Sequence, residues 1–390
     1  MIPRRIEETV QRLRSGFPIV AITGPRQSGK TTLSRAIFPE RPYVSLEEPD
    51  TRAYAVDDPR GFLAQFPDGA ILDEAQRAPE LFSYLQSRVD LDNRMGLFLL
   101  TGSQQFGLRA GITQSLAGRV GLVTLLPFSF GELSHARVAP DTLEECMYTG
   151  SFPPLYDRPI LPGDWYPRYI ATYLERDLHQ LIQVRDLHTF QTFLRMCAAR
   201  TAQIINLSAL ATDCGITHNT AKAWVSVLEA SYILFLLQPH HRNFNKRMIK
   251  APKIYFYDTG LVASLMGIED VDRLRTHSMR GQLFENWIVS ELMKGRYNRG
   301  LPSNLYFWRD RAGLEVDLIA DHGESLLPIE IKSGATVAGD FFDGLKRWSK
   351  LSTDGTRETP LLFYGGDEDQ PRTDAVVRSW RSVAGIAETV

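Results

Sequence analysis

Eight consecutive residues near the N-terminus match the phosphate-binding pattern G-x-x-x-x-G-K-[ST]: Gly24, Pro25, Arg26, Gln27, Ser28, Gly29, Lys30 and Thr31. An apolar run predicts a buried strand before the loop, and the residues from Thr32 onward predict a helix after it, as the pattern requires. Glycines let the backbone fold around phosphates, its N–H groups point inward, and the helix N-terminus adds partial positive charge. We expect the loop, together with Thr32, to bind the phosphates of ATP.

Two side chains of this loop have individual roles in that chemistry. Lys30 can reach the β- and γ-phosphates, and the Thr31 hydroxyl can ligate Mg²⁺. The alternative is a glycine-rich loop that only turns a strand into a helix. The combination of motif and context favours nucleoside triphosphate binding.

A second strand is predicted at Tyr43–Leu46, and a third, apolar strand is predicted to end in two adjacent carboxylates, Asp73 and Glu74. In phosphate-binding-loop enzymes the first acid holds Mg²⁺, commonly through water, and an acid directly after it orients and deprotonates the attacking water. Alone, this pair would indicate a solvated strand end. Its position after Lys30 in an alternating α/β pattern favours the catalytic interpretation.

Two further residues could respond to the γ-phosphate. Ser103 follows a predicted strand and is expected to sense this phosphate, with Thr101 and Gln104 as alternatives. Arg119 precedes the fifth predicted strand and could contact the γ-phosphate, in cis or from a neighbouring subunit. The alternative for Arg119 is a cation that satisfies carbonyls at a helix C-terminus. Five strands alternating with helices predict a parallel sheet with the nucleotide at the carboxyl ends of its strands.

The C-terminal third contains a second candidate site. Glu330 and Lys332 lie two apart on a predicted strand and therefore share a face, and Asp317 lies on the strand before it. Asp317 and Glu330 could share a second Mg²⁺ or an Mn²⁺, with Glu285 supporting from a helix. Lys332 could lower the pKa of an attacking water or neutralise charge that develops on a phosphate. Glu315 is expected to face the opposite side of the sheet and is excluded.

The predicted order of elements around this site is helix, three strands, helix, strand, which is the core of the restriction-endonuclease-like fold. The alternative is a fold kept for packing or partner binding, in which the acids and the lysine form an ordinary cross-strand ion pair. The sequence leaves both possibilities open.

The middle of the chain has the spacing of a helix-turn-helix followed by two strands of a wing. Between these strands lies a run without acidic residues that could contact a phosphate backbone. Its cations are Arg242, Lys246, Arg247, Lys250 and Lys253. A solvated hairpin tip, or a module that serves only for packing, is the alternative.

The composition limits the class of protein. The chain has 390 residues, a formal net charge of −2, 43% hydrophobic residues and three cysteines without a C-x-x-C pair. These values predict two or three globular domains with reduced thiols in the cytoplasm, and no membrane span. They exclude a global electrostatic attraction to nucleic acid or membrane. The expected domains are 1–135, 136–275 and 276–390.

Four segments, G-P-R-Q-S-G-K-T-T-L, L-D-E-A-Q, L-T-G-S-Q and S-L-A-G-R, together resemble a prokaryotic family of AAA-superfamily ATPases. The resemblance continues through Gly150-Ser151-Phe152-Pro153 and Tyr257-Asp258-Thr259-Gly260-Leu261 and covers nearly the whole chain. It implies an α/β protein with an N-terminal AAA-like P-loop NTPase domain, a middle helical and winged-helix-like module, and a C-terminal PD-(D/E)xK nuclease-like module.

These observations predict an enzyme that hydrolyses ATP and couples its nucleotide state to C-terminal modules, one of which could be a metal-dependent nuclease. The alternative is an ATP-dependent switch or scaffold with a catalytically silent nuclease-like fold. A small-molecule kinase is a weaker third possibility, because no acceptor-site motif follows the loop. The expected partners are ATP, DNA or RNA, and a protein partner or a second copy of the chain.

Overall fold

The computed structural model describes residues 1–103, 112, 115–174, 187–240, 251–310, 313–351 and 358–390. These residues form two compact units. Unit 1 comprises Met1–Phe128, Ala230–Tyr232 and Tyr297–Leu301, and unit 2 comprises Ser129–Glu229, Ile233–Arg296 and Pro302–Val390. The finer division into three domains stays a prediction.

Unit 1 contains a five-stranded sheet in the order β2-β3-β4-β1-β5, in which every pair is parallel. Its strands are β1 Ile19–Thr23, β2 Tyr43–Ser45, β3 Ile71–Asp73, β4 Phe98–Gly102 and β5 Val120–Thr124. Its helices are α1 Ile6–Gly16, α2 Lys30–Ile37, α3 Pro49–Asp57, α4 Pro59–Ala64 and α5 Leu81–Asp92. The predicted parallel sheet of five strands is confirmed.

The core of unit 1 lies on both faces of this sheet. On the central strand β1, Ile19 and Ala21 pack into one buried apolar cluster, whereas Val20 and Ile22 pack into another. Side chains alternate between the faces of a strand, so a strand buried on both faces is apolar throughout. The central position of β1 therefore explains the continuous apolar run before the phosphate-binding loop. Packing on both faces of β1 also fixes the position at which the loop starts.

The first part of unit 2 is mainly helical and contains a small antiparallel sheet in the order β6-β8-β7. Its helices are α6 Phe130–His135, α7 Leu143–Thr149, α8 Pro154–Asp157, α9 Pro162–Tyr169, α10 Leu187–Ala198, α11 Leu207–Asp213, α12 His218–Ala230, α13 Thr259–Leu265 and α14 Val271–Thr276. Its strands are β6 Gln203–Ile204, β7 Leu234–Leu237 and β8 Lys253–Phe256. The winged-helix assignment stays a prediction, and its cations Arg242, Lys246, Arg247 and Lys250 lie outside the described residues.

The second part of unit 2 contains a six-stranded mixed sheet in the order β13-β14-β12-β11-β10-β9. Strands β9, β10 and β11 pair antiparallel, and β11, β12 and β14 pair parallel. The strands are β9 Leu305–Arg309, β10 Glu315–Asp321, β11 Leu326–Lys332, β12 Leu361–Tyr364, β13 Gln370–Pro371 and β14 Val376–Ser379. The helices are α15 Arg280–Asn298, α16 Asp343–Leu351 and α17 Val383–Ala387.

The parallel and antiparallel pairs of this sheet follow from the lengths of its connections. Only a few residues separate β9 from β10 and β10 from β11, whereas α16 lies in the longer connection between β11 and β12, and parallel neighbours need such a connection. Trp308, Val316, Leu345, Trp348 and Leu362 belong to the buried apolar cluster between α16 and the sheet. This packing fixes the strands that carry the C-terminal candidate residues.

Two of the chemical expectations from composition concern membranes and thiols. Within the described part of the chain, no helix is both long enough and apolar enough to cross a membrane. Cys146, Cys197 and Cys214 are free and buried. Burial raises the pKa of the Cys197 thiol far above its usual range, so this thiol stays protonated and unreactive.

Candidate nucleotide site and acidic cluster

The phosphate-binding loop connects β1 to α2, and its backbone requires glycine at two positions. Gly24 has φ 149°, and a Cβ atom there would lie 2.0 Å from the Leu125 carbonyl oxygen. Gly29 caps α2 with φ 92° in the left-handed region. A side chain at either position would clash or strain the turn. The motif glycines thus allow the chain to pass β5 closely and then enter the helix.

The other loop residues lie where the motif predicts them, between β1 and the first turn of α2. Gln27 adopts a left-handed conformation with φ 60° although it is not glycine. Ser28 is fully buried, and its Oγ has no hydrogen-bond partner among the described residues. Thr32 is exposed at the start of α2. A buried hydroxyl without a partner is costly, so Ser28 is suited to receive a bond from a ligand.

Lys30 lies inside the loop. Its side chain is buried, and its Nζ donates hydrogen bonds to the carbonyl oxygens of Gly24 at 3.0 Å and Pro25 at 2.7 Å. Burial lowers the pKa of Lys30 to about 8, although Glu74 and Asp73 act in the opposite direction. The ammonium is therefore held near the backbone that would surround a phosphate, with partners that it could exchange for phosphate oxygens.

Asp73 ends β3 and is surrounded by hydroxyl groups. Thr31 Oγ1 donates to Asp73 Oδ2 at 3.1 Å, and the hydroxyls of Tyr43 and Thr101 also donate to this carboxylate. Burial and the contact with Asp73 raise the pKa of Tyr43 to about 12, which keeps its hydroxyl protonated. A hydroxyl and a carboxylate side by side are a donor set that fits Mg²⁺. Thr31 and Asp73 are thus placed together as the sequence predicts.

Glu74 is held beside Asp73 by two donors. Its Oε2 accepts hydrogen bonds from Ser103 Oγ at 3.0 Å and from Gln76 Nε2 at 2.5 Å. Its φ of 56° is in the left-handed region, a strained conformation that is frequent at functional sites. The structure therefore brings Ser103 to the predicted base, whereas the alternative Thr101 contacts Asp73. The other alternative, Gln104, lies outside the described residues.

Arg119 does not lie near the loop in its own chain. It immediately precedes β5, and Val120 pairs with Ile19 at the amino ends of β5 and β1. The loop follows β1 at the opposite end of the same parallel sheet. Arg119 Nε contacts Asp90 Oδ1 at 2.5 Å. This placement argues against a contact between Arg119 and a γ-phosphate bound in the same chain. A contact from a neighbouring subunit stays a prediction.

Arg4 supports the loop from the N-terminal segment, and the sequence contained no signal for this role. Its guanidinium donates to the Ser28 carbonyl at 2.8 Å and to the Leu126 carbonyl at 2.6 Å, and it lies 4.6 Å from the centre of the Phe128 ring. The side chain is almost fully buried. Arg4 therefore ties the loop to the segment that follows β5.

We expect Arg4→Ala to weaken ATP binding by about tenfold, since charge-assisted bonds to the loop backbone contribute about 1.5–3 kcal/mol. The loss should appear in the Kd for ATP measured by titration calorimetry. Arg5→Ala, at the exposed neighbouring position, is the matched control and should leave the Kd unchanged. Equal affinity of Arg4→Ala and wild type would contradict a supporting role for Arg4.

The C-terminal residues Asp317, Glu330 and Lys332 form an acidic cluster with Glu285 and Glu315. Lys332 Nζ lies 2.5 Å from Glu330 Oε1 and 3.5 Å from Asp317 Oδ2, so both carboxylates share one ammonium. The Ile331 N–H donates to Asp317 Oδ2 at 2.9 Å. The structure thus brings together the three residues that the sequence placed on neighbouring strands.

Glu330 is a buried acid of the cluster, and its two carboxylate oxygens differ, because Oε1 contacts Lys332 whereas Oε2 does not have a hydrogen-bond partner among the described residues. Burial, reinforced by Asp317, raises the pKa of Glu330 to about 8, despite the opposing charge of Lys332. Its Oε2 is buried and finds no hydrogen-bond partner in the part of the chain that the structure describes. An uncompensated buried carboxylate oxygen is costly, and a cation would relieve that cost. Asp317 and Glu330 therefore fit a divalent ion chemically.

Glu285 projects from α15 into the same region but is already occupied. Its Oε1 accepts hydrogen bonds from Lys253 Nζ at 2.9 Å and from the Tyr255 hydroxyl at 2.6 Å. Burial raises the pKa of Glu285, and Lys253 counteracts this effect. Glu285 was expected to support a metal ion, but its Oε1 is bound to Lys253 in the structure. The sequence pattern had placed Lys253 among the cations of the wing.

The expectation that Glu315 faces away from the cluster is wrong. Glu315 Oε1 lies 2.5 Å from Lys253 Nζ, the ammonium that also binds Glu285, and its Oε2 lies 3.1 Å from Arg309 Nη1. The physical reason is that residues 315 and 317 are two apart on one strand, and such residues share a face. Lys253 is likewise not a wing-tip cation, since its side chain is 2% exposed.

Metal-binding geometry is incomplete in the cluster. Among the described residues, no group of three or more His, Cys, Asp or Glu side chains is arranged to hold a metal ion. The carboxylates are instead distributed between two lysines. Lys332 holds Asp317 and Glu330, and Lys253 holds Glu285 and Glu315.

Known sequence families match three successive parts of the chain. An AAA domain matches residues 16–134, a domain of unknown function (DUF8612) matches residues 140–272, and another domain of unknown function (DUF4143) matches residues 280–382.

Two proteins are similar to nearly the whole chain, the uncharacterized protein Rv2008c of Mycobacterium tuberculosis and the uncharacterized protein Mb2031c of Mycobacterium bovis. Each is 32% identical over 384 residues, which cover 97% of this chain and 83% of the relative.

Similarity to solved structures is partial. A Walker-type ATPase of Pyrococcus abyssi is 17% identical, with a TM-score of 0.45 over 68% of this chain and 96% of that chain. The AMPPCP-bound DnaA of Aquifex aeolicus is 14% identical, with a TM-score of 0.29 over 57% of this chain and 85% of that chain.

Proposed function

We propose that this chain, which belongs to the same family as the two mycobacterial proteins and has an AAA-type P-loop ATPase domain, binds ATP with Mg²⁺ and hydrolyses it slowly. One observation carries the proposal. Two hydrogen-bonded pairs, Thr31 with Asp73 and Ser103 with Glu74, lie at the carboxyl ends of the neighbouring strands β3 and β4. Both pairs are beside the loop that holds Lys30.

Each residue has a distinct role in this proposal. Lys30 exchanges its two carbonyl partners for the β- and γ-phosphates, so its charge is neutralised by the substrate. Thr31 and Asp73 hold Mg²⁺, which neutralises phosphate charge when it is bound. Glu74 accepts a proton from the attacking water at its carboxylate. Ser103 orients Glu74 and can respond when the γ-phosphate arrives or leaves.

An ATPase assay with and without Mg²⁺ tests this function. We expect phosphate release that requires Mg²⁺ and that is lost in Lys30→Met. The same tubes with added DNA or RNA would show whether nucleic acid stimulates turnover. Saturable ATP binding without Mg²⁺-dependent release would contradict hydrolysis and favour the ATP-dependent switch. Neither binding nor release would contradict both.

The affinity for ATP should fall as the pH rises through about 8. Below that pH Lys30 is already protonated, so its charge is present before ATP binds. Above it the free protein has lost the proton and must regain it on binding phosphates, so the affinity falls by up to about tenfold per pH unit. Titration calorimetry from pH 6.5 to about 9.5 measures this slope.

Lys30→Met is the control for the pH dependence. This variant has no ammonium, so it should bind ATP weakly and show no decline near pH 8. A wild-type affinity that stays constant across the range would contradict the lowered pKa of Lys30. A decline that persists in Lys30→Met would assign the titration to another group.

A second function, metal-dependent cleavage of a phosphodiester in DNA or RNA, is favoured by Asp317, Glu330 and Lys332. In this proposal Asp317 and Glu330 hold Mg²⁺ or Mn²⁺, and the unpartnered Glu330 Oε2 supplies a ligand atom. Lys332 stabilises charge on the phosphate or helps to deprotonate the water. ATP turnover would control access to this site. The alternative is a scaffold whose cluster is only an ion-pair network.

Cleavage of labelled DNA and RNA with Mg²⁺ or Mn²⁺, with and without ATP, separates these alternatives. A nicked or cleaved product that depends on the metal supports the nuclease. ATP hydrolysis with intact nucleic acid in every tube would favour the scaffold.

A further inference from the structure

We propose that Lys253 is a resident counter-cation of the acidic cluster, which competes with a divalent metal ion for Glu285 and Glu315. The inference rests on the metal site proposed at Asp317 and Glu330. It adds a residue that neither the sequence pattern nor the family matches assign to that site.

The position of Lys253 carries the argument. Its Nζ lies 2.9 Å from Glu285 Oε1 and 2.5 Å from Glu315 Oε1, and thus bridges two carboxylates that come from α15 and β10. The side chain is 2% exposed, so water contributes little to the solvation of this ammonium. Phe307 also borders it, with the ring centre 5.6 Å from Nζ. A buried ammonium in this position depends on its carboxylate partners.

A metal ion would need the same oxygen atoms. Glu285 Oε1 already accepts hydrogen bonds from Lys253 and from the Tyr255 hydroxyl, so that oxygen is not available as a third metal ligand while Lys253 stays. Mg²⁺ and Mn²⁺ prefer several oxygen ligands, and two carboxylates hold such an ion less tightly than three or four. The ammonium also repels an approaching cation.

Lys253 and Lys332 therefore divide the cluster into two halves. Lys332 contacts Asp317 and Glu330, which would bind the proposed ion. Lys253 occupies the other half of the cluster, where it contacts Glu285 and Glu315. Displacement of Lys253 would release Glu285 toward the ion. The cluster would then hold metal tightly only after Lys253 has left it.

The test measures Mn²⁺ binding to the full-length protein by electron paramagnetic resonance, which needs no activity. Lys253→Gln removes the charge but keeps a hydrogen-bond donor, and Lys253→Met/Glu315→Gln removes both partners of the shorter ion pair. We expect either folded variant to lower the apparent Kd for Mn²⁺ by about tenfold or more. Lys253→Arg keeps the charge and should bind Mn²⁺ as wild type does.

Matched controls make the result decisive. Glu315→Gln alone retains Lys253 and should not tighten Mn²⁺ binding, and thermal unfolding identifies which variants are folded. Folded Lys253→Gln and Lys253→Met/Glu315→Gln variants that bind Mn²⁺ no more tightly than wild type would overturn the inference. If wild type binds Mn²⁺ and Asp317→Ala abolishes it, that result would leave the proposed metal site intact. If Asp317→Ala changes Mn²⁺ binding in no variant, the metal site fails as well.

Discussion

Glu74→Gln should bind ATP with wild-type affinity and lose turnover by a factor of about 10² to 10⁴, the usual contribution of a general base. The amide has the size of the carboxylate and can still accept the bond from Ser103, so the strained backbone at this position needs no rearrangement. It cannot take a proton from water. Single-turnover hydrolysis, with ATP affinity measured separately by calorimetry, checks both halves of this expectation.

Glu80→Gln is the matched control, because Glu80 is an exposed carboxylate nearby in the sequence without a side-chain bond to its helix. It should leave the hydrolysis rate within about twofold of wild type, as is usual for surface substitutions. Equal rates for Glu74→Gln and wild type would refute the assignment of Glu74 as the base. Loss of ATP binding in Glu74→Gln would instead indicate that Glu74 shapes the loop.

Local sequence determines the parts of the structure that were predictable. The strand before the phosphate-binding loop is Ile19–Thr23, as expected, because a strand buried on both faces is apolar without interruption. Thr31, Asp73 and Glu74 were identifiable because phosphate and magnesium chemistry limits the residue types at strand ends. Ser103 followed from the same argument, although its contact with Glu74 needed the structure.

Long-range contacts account for what sequence reasoning missed. Arg4 bonds to the Leu126 carbonyl, 122 positions away, and nothing around Arg4 in the sequence indicates this partner. Tyr43 begins β2, and its hydroxyl bonds to Asp73 on the neighbouring strand. A tyrosine on a strand is ordinarily a packing residue, so only the neighbouring strand reveals the polar role.

The errors at the acidic cluster also have a physical explanation. Lys253 follows several other cations, and a run of cations ordinarily lies in solvent. Its burial depends on carboxylates from other elements, Glu285 and Glu315, which local composition does not show. The prediction for Glu315 was wrong because alternation along a strand was applied incorrectly, since residues 315 and 317 are two apart and share a face. The two mistakes have one consequence, since together they concealed an ion-pair bridge across the candidate metal site.

Under the proposed nuclease function, Asp317→Ala should reduce metal-dependent cleavage of DNA or RNA by at least about 100-fold, since it removes one of the two carboxylates that would hold the ion. Lys332→Ala should cause a similar loss for a different reason, because it removes the ammonium next to both acids. ATP hydrolysis should stay unchanged in both variants, because these residues belong to unit 2 and the nucleotide residues belong to unit 1. Cleavage and phosphate release are measured in the same tubes.

Asp374→Ala controls for the loss of a carboxylate in the same unit, since Asp374 is half-exposed and pairs with Lys346 outside the cluster. Asp374→Ala should cleave as wild type does.

The losses of cleavage in Asp317→Ala and Lys332→Ala should also differ in their dependence on metal, because excess Mn²⁺ can partly restore a weakened ion site but cannot replace an ammonium. Partial rescue of Asp317→Ala but not of Lys332→Ala would thus assign the acid to metal binding and the lysine to a step that the metal cannot replace, at the phosphate or at the water. Wild-type cleavage by Asp317→Ala would leave the cluster as an ion-pair network that stabilises the sheet.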